Sequence, residues 1–187
     1  MKKYNLGCGN NKLEDFVNVD REDFFKPDLI VDLENFPWNI ESNSAEVIVL
    51  NHVLEHLKDL VNVMKELYRI SVNNTEIYIT VPHPLSYDFI VDPTHITRIT
   101  PETLNMFSKK FCDYVIENNY SNSTFAYTCN VDFEIRSVDY ILDQQTKEFL
   151  LSKELISTDD YQNNHSLYDK IFPNLVKEIR ISLVVRK

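Results

Sequence analysis

Two glycines stand in a chain of 187 residues, where ordinary usage of about 7% would give roughly thirteen. Left-handed backbone positions are therefore expected to fall mostly to asparagine, which tolerates positive φ better than most residues. Both glycines lie within three positions, Gly7-Cys8-Gly9, so that turn is expected to need what asparagine does not provide. Cysteine is scarce too: Cys8, Cys112 and Cys129 are odd in number, widely spaced and form no CxxC pair. That excludes a disulfide framework and a cysteine zinc site, and fits a reducing compartment. No run of about 18 apolar residues exists, which excludes a membrane-spanning helix. Met1-Lys2-Lys3-Tyr4-Asn5 is basic but leads into no apolar stretch, so no secretory signal is expected and the chain reads as cytoplasmic. Positive charge is short, with 19 Lys and Arg against 29 Asp and Glu. Nucleic-acid binding draws on Lys and Arg to neutralise phosphates, so DNA and RNA are poor first choices of partner.

What is present is an ordinary globular composition, 43% hydrophobic and 26% charged, at a length suited to one core. Short apolar segments at 3–6, 16–19, 28–31 and 46–50 read as strands, and Ile77-Tyr78-Ile79-Thr80-Val81 as a fifth. The run Ile48-Val49-Leu50 predicts burial on both faces, as in a parallel sheet. Leu54, Leu57, Leu60 or Val61, Met64, Leu67 and Tyr68 recur at i+3/i+4 spacing and predict an amphipathic helix over 53–72, stopped at Asn73-Asn74. Thr100-Pro101-Glu102 opens another helix, with Thr as N-cap and Pro in the first position. Residues 131–142 and 178–186 read as late strands able to pair antiparallel, around a polar, partly helical insert at 143–176. With no repeat or linker, the expectation is a single domain over 1–187: a Rossmann-like, doubly wound α/β sheet, mostly parallel, with an antiparallel last strand.

In such sheets ligands bind at the carboxyl ends of the strands. Four expected strands end at Gly7, Asp20, Asp32 and Asn51, which sets a glycine turn and three polar side chains along one edge. A Gly-x-Gly turn lets a ligand approach the backbone, and an acid ending the second strand can take both ribose hydroxyls. A dinucleotide site would add a third glycine and a helix N-terminus for the pyrophosphate. Here the third glycine is missing and the segment between Gly9 and Phe16 is too short for a crossover helix. An NAD enzyme is therefore the weaker reading, and a cofactor without a pyrophosphate the stronger.

The chain resembles the class I S-adenosylmethionine-dependent methyltransferases, in particular their small-molecule branch. The resemblance spans residues 4–110 and rests on Asn5-Leu6-Gly7-Cys8-Gly9, Asn18-Val19-Asp20, Val31-Asp32-Leu33, Asn51-His52-Val53-Leu54-Glu55-His56-Leu57, and Asp92-Pro93-Thr94-His95 with Arg98 and Thr100-Pro101-Glu102. It implies S-adenosyl-L-methionine as cofactor. It also implies that Gly7 and Gly9 line the methionine part, Asp20 takes the ribose, Asp32 with Leu33 holds the adenine, and Asn51 sits beside the sulfonium. The departure is the short segment 10–15, where the family has its first helix.

Four of the five histidines lie between 52 and 95. On a helix, His52, Glu55 and His56 share a face, and that spacing can chelate a divalent ion, with His95 as a further ligand. The arrangement resembles metal-dependent O-methyltransferases that carry Glu-x-x-Glu-His at this helix start. His52 in place of the first Glu would favour a transition metal such as Mn, Fe or Zn over Mg. The alternative is that Glu55 and His56 cap or hydrogen-bond the helix start and no metal binds. In that case His95 or His83 serves as general base, with Arg98 and Tyr87 available to an anionic substrate group. Cys8 reads as a small apolar filler and Trp38 as core.

The expected function is methyl transfer to a small polar acceptor, most simply O-methylation of a sugar, nucleotide-sugar or phosphorylated metabolite. A catalytically silent cofactor-binding subunit that supports a partner is the competing reading. A homodimer is one arrangement open to the insert at 143–176, whose Phe149, Leu150, Leu151, Leu155 and Ile156 need burial.

Overall fold

A computed structural model describes residues 1–157 and 174–187. Seven strands form one sheet in the order β3-β2-β1-β4-β5-β7-β6. They are β1 (Lys2–Leu6), β2 (Val17–Asp20), β3 (Leu29–Ile30), β4 (Ala45–Asn51), β5 (Ser71–Pro82), β6 (Phe133–Leu142) and β7 (Val176–Val185). β1 to β5 pair in parallel, while β7 slots between β5 and β6 antiparallel to both. This is the α/β, Rossmann-like, mostly parallel sheet with an antiparallel last strand that the sequence predicts. Among the described residues the α-helices are α1 (Leu60–Ile70), α2 (Tyr87–Val91), α3 (Pro101–Asn105), α4 (Lys109–Glu117), α5 (Phe125–Thr128) and α6 (Gln144–Ser152).

The core occupies one face of the sheet. Register aligns Leu6, Leu50, Ile79 and Ile181 across four strands, and all four are buried with Val63, Met64, Leu67 and Ile70 of α1. The alternate row, Val49, Tyr78 and Ser182, faces the other way, and Tyr78 is 44% exposed. Burial of Val49 on a two-sided sheet is thus corrected: it is half-buried, and β4 and β5 alternate as strands with one wet face do. The cause is the brevity of the early connections. Residues 7–16 and 21–28 contain no α-helix to cover that face. An asparagine network braces the first of these instead. Buried Asn5 donates to Asn18 Oδ1 and to the Asn11 carbonyl, and Asn18 also bonds Leu13 through both its amide oxygen and its amide nitrogen.

The helix expected over 53–72 breaks in two. His52 sits at φ 54°, residues 54–56 make one turn of 3-10 helix, and Leu57 is extended. Only then does Asp59 N-cap α1 by accepting from the Asn62 N–H. Its end is also earlier: Ser71 already begins β5, and Asn73-Asn74, read as a helix stop, lie inside that strand, with Asn74 at φ 67°. Asparagine does fill left-handed positions, at Asn43, Asn74, Asn119, Asn130 and Asn174. In the insert, Leu150 and Ile156 bury with Leu175, whereas Phe149 and Leu155 stay exposed. The remainder of the insert, 158–173, lies outside the described residues. No described helix is long and apolar enough to cross a membrane.

Candidate functional site

Strand order reverses between β1 and β4, since β2 and β3 extend to one side and β5 to the other. Ligands of open α/β sheets bind at that switch point. A cavity of about 550 Å³ opens there, with Gly7, Asp20, Val31, Asp32, Leu33, His52, Val53 and His56 in its wall. That volume is in the range of small-molecule sites. Gly9 and Asn51 are described residues that lie off this wall.

The two glycines are needed for different reasons. Gly7 has φ +67°, and a Cβ there would come 2.5 Å from Val53 Cγ2, so the turn passes directly over the residue after His52. Gly9, at φ +48°, would meet nothing with a Cβ. The expectation that asparagine is unsuited to the whole turn therefore holds on steric grounds at Gly7 alone. Asp20 closes this turn onto β2: its Oδ2 accepts the Gly9 N–H at 2.8 Å and its Oδ1 the Glu22 N–H at 3.0 Å. Each carboxylate oxygen retains a lone pair for a ligand hydroxyl. Asp32 organises the next turn, accepting from the Glu34 N–H and the Asn35 side-chain amide. Cys8 is buried, and desolvation together with nearby Asp20 pushes its thiol pKa up, away from a reactive thiolate. Trp38 is core, its indole N–H donating to the Leu33 carbonyl. The cavity, the close backbone turn and the two carboxylates fit a nucleoside-type cofactor such as S-adenosylmethionine.

Beside this cavity lies a second group. Glu55, His56 and His95 bring one ligand atom each to within 4.8 Å of one another. What joins them is a backbone splice: the Ile96 and Thr97 N–H groups both donate to the Glu55 carbonyl, at 2.9 and 3.0 Å. The imidazoles then face each other, with ring centroids 4.7 Å apart. Their tautomers follow from their partners. Thr94 Oγ1 donates its only proton to Asp92 Oδ1 at 2.6 Å, so its 2.9 Å bond to His56 is donated by His56 Nδ1–H. His95 Nδ1 lies 3.2 Å from the Phe89 carbonyl, which can only accept. In each neutral ring the proton then sits on Nδ1 and the lone pair on Nε2, and His95 Nε2 lies 3.7 Å from Asp92 Oδ2. That is how ligating imidazoles are prepared, with Nδ1–H anchored by an outer oxygen.

Glu55 is 1% exposed, and neither of its carboxylate oxygens has a hydrogen-bond partner. A buried carboxylate in that condition is costly and calls for an explanation. His52 Nδ1 lies 3.3 Å from Glu55 Oε1, an ion pair without hydrogen-bond alignment. Two imidazoles and one buried carboxylate that makes no hydrogen bond form a donor set suited to Mn, Fe or Zn. His52, expected as a fourth ligand, stands apart from this group. The helix that would have put it on a shared face is absent, and its ring lies between Glu55 and Glu178 Oε2, 3.2 Å from the latter. Those two carboxylates, Glu55 foremost, raise its pKa. His83 is separate as well. Its Nδ1 accepts the Leu85 N–H at 3.3 Å, and burial lowers its pKa. Neutral His83 thus has its lone pair engaged, unlike His95. Tyr87 and Arg98 are both exposed.

Glu178 and Thr94 are the site residues that sequence reasoning did not single out. Thr94 lies in the Asp92-Pro93-Thr94-His95 stretch, so position alone offered it; Glu178 is 126 residues from His52 and carries no local signal.

Residues 6–79 match the family model described as a methyltransferase domain. No curated protein sequence matches the chain. Among solved structures, it is similar to a SAM-dependent methyltransferase from Archaeoglobus fulgidus, with TM-score 0.58, 17% identity, 98% of this chain and 85% of that one covered. A second is an S-adenosylmethionine-dependent methyltransferase from Mesorhizobium loti, with TM-score 0.51, 11% identity and coverage of 98% and 90%. A third is a putative methyltransferase of Haloferax volcanii, solved in complex with the Trm112 methyltransferase activator, with TM-score 0.55, 12% identity and coverage of 99% and 82%. These likenesses show the fold, and the family match runs from the last residue of β1 through most of β5, including Gly7, Asp20, Asp32, Asn51, Glu55 and His56. Residues 6–79 thus carry a methyltransferase-domain match, and the chain as a whole has the fold of S-adenosylmethionine-dependent methyltransferases.

Proposed function

We propose that the chain transfers a methyl group from S-adenosylmethionine to a hydroxyl of a small polar acceptor, with a divalent metal held at Glu55, His56 and His95. The observation that carries this reading is the buried Glu55 carboxylate, which makes no hydrogen bond and has His52 as its charged contact, beside the His56 and His95 imidazoles. When bound, S-adenosylmethionine supplies a methyl on a cationic sulfur, and a metal of this class lowers the pKa of a coordinated hydroxyl.

The protein's own part is mostly positioning. Gly7 lets the cofactor lie against the backbone, Asp20 offers lone pairs to its ribose, and Asp32 with Leu33 borders its base. Gly9 supports this indirectly by donating to Asp20, and Asn51 ends β4 next to His52. His56 is held by Thr94 and His95 by Phe89, each through Nδ1, which leaves Nε2 as the nitrogen available to a ligand. Should no metal bind, His95 is favoured over His83 as general base, because its Nε2 is free to take the acceptor's proton. A sugar, nucleotide-sugar or phosphorylated metabolite suits a polar mouth with exposed Arg98.

The test is a screen of such acceptors for S-adenosylhomocysteine release by metal-stripped protein, with and without added Mn²⁺. Turnover on a hydroxyl acceptor that rises with Mn²⁺ and collapses in His95→Ala supports the proposal. Turnover on amines alone, or turnover indifferent to His95, contradicts it.

A further inference from the structure

A chain of charged contacts reaches the candidate site from β7, the strand beside β5. Arg180 Nε donates to Glu178 Oε1 at 2.8 Å, Glu178 Oε2 lies 3.2 Å from His52 Nε2, and His52 Nδ1 lies 3.3 Å from Glu55 Oε1. Because β7 is antiparallel, its first residues sit at the carboxyl ends of β4 and β5, and Glu178 is level with Pro82. Its side chain therefore spans β5 to reach the residue that follows β4. His52 is presented to it by a left-handed backbone at φ 54° and by a 2.8 Å bond from its N–H to the Thr80 carbonyl. Left-handed backbone is unfavourable for a residue with a side chain and persists where the surroundings impose it. With a carboxylate on each ring nitrogen, His52 is locked at both ends, and its inner end faces the carboxylate that has no other partner.

We propose that Glu178 is a positioning residue for the metal-ligating carboxylate: by clamping His52 it fixes where Glu55 points, although it touches neither His56 nor His95. The inference rests on the reading of Glu55, His56 and His95 as a metal site. It accounts for an ion pair between sequence positions so far apart.

The experiment is titration of metal-stripped full-length protein with Mn²⁺ alone, followed by calorimetry, in the wild type and in Glu178→Ala, Glu178→Gln, His52→Asn and Glu178→Ala/His52→Asn. Outer-shell partners commonly change metal affinity by about 10- to 100-fold. Glu178→Ala should weaken Mn²⁺ binding by about tenfold or more on that scale, and Glu178→Gln, which keeps an acceptor oxygen for His52, should recover most of the loss. The double variant should lose no more than the worse single one, because Glu178 acts through His52. S-adenosylhomocysteine affinity should be unchanged in both Glu178 variants. Wild-type Mn²⁺ affinity in Glu178→Ala, losses that multiply in the double variant, or a parallel fall in S-adenosylhomocysteine affinity would each overturn the proposal. The Glu55 carboxyl ¹³C resonance, recorded without metal, separates the two layers. If the wild type takes up no Mn²⁺ but Glu178→Ala moves that resonance, the metal reading fails and the positioning role stands. A resonance unmoved by Glu178→Ala ends the positioning role whatever the metal does.

Discussion

His56 and His95 face each other with ring centroids 4.7 Å apart, each with Nδ1 anchored to an oxygen of the 89–94 segment, and His95 Nε2 lies 3.7 Å from Asp92 Oδ2. The two imidazoles come from segments almost forty residues apart. Replacing His95 by Ala removes one of them without touching the cofactor cavity. The turnover number should fall by about a hundredfold or more, the scale of lost acid–base or metal help, while S-adenosylhomocysteine still binds. Steady-state kinetics beside a binding isotherm checks both halves.

The glycine turn gives a sharper contrast. Gly7→Ala places a methyl 2.5 Å from Val53 at φ +67°. Left-handed strain alone is about 1 kcal/mol or more, and displacement of Val53 disturbs the cavity wall. Cofactor-product affinity should fall at least about tenfold, with a lower melting temperature. Gly9→Asn, where a Cβ meets nothing, should bind almost normally. Equal losses at the two positions would refute the steric account.

Asp20 joins the turn to the strand through two backbone amides, one on each oxygen. Asparagine keeps one acceptor and sets a donor against the other amide. Asp20→Asn should therefore cost about 1–3 kcal/mol by leaving a partly buried N–H unpaired, and weaken cofactor binding as well. Chemical denaturation measures the first effect, calorimetry the second.

A pH dependence follows from Glu66. Burial is the largest influence on it and pushes its pKa up. The bidentate hydrogen bonds from Arg69 and the Trp38 N–H outweigh that and hold it below the ordinary carboxylate value. A folded-state pKa below the unfolded one means that the unfolded chain binds more protons, so the contribution is present above about pH 4.5 and fades as pH falls. Glu66→Gln should be less stable by about 2 kcal/mol at neutral pH, and its melting temperature should converge on the wild type's as pH falls toward 3. A constant gap across that range would show that the charge contributes nothing.

The sheet and its functional edge were readable because apolar runs stop abruptly at Gly7, Asp20, Asp32 and Asn51, and strand ends are where such folds bind ligands. The helix boundary was not. Leu54 and Leu57 fit the apolar period of α1, yet they belong to a separate turn, and the N-cap signal of Asp59 was the clue that resolves it. Val49 misled because three apolar residues in a row are compatible with burial on either one face or two. The meeting of His56 with His95 could be guessed from type but not from spacing, because it is made by backbone amides of Ile96 and Thr97, which leave no mark in side-chain pattern. Glu178 was invisible for the same reason, since only the antiparallel insertion of β7 brings it to His52.

The central claim, that Glu55, His56 and His95 form a metal site serving the methyl transfer, is tested most directly by titrating Mn²⁺ into metal-stripped protein saturated with S-adenosylhomocysteine, comparing wild type with Glu55→Gln. The account predicts one Mn²⁺ per chain in the wild type and affinity reduced by about a hundredfold or more in the variant, since a first-contact carboxylate outweighs the outer-shell effects, with S-adenosylhomocysteine binding retained. No Mn²⁺ uptake by the wild type, or equal uptake by both proteins, would contradict it and leave His95 as a metal-free base.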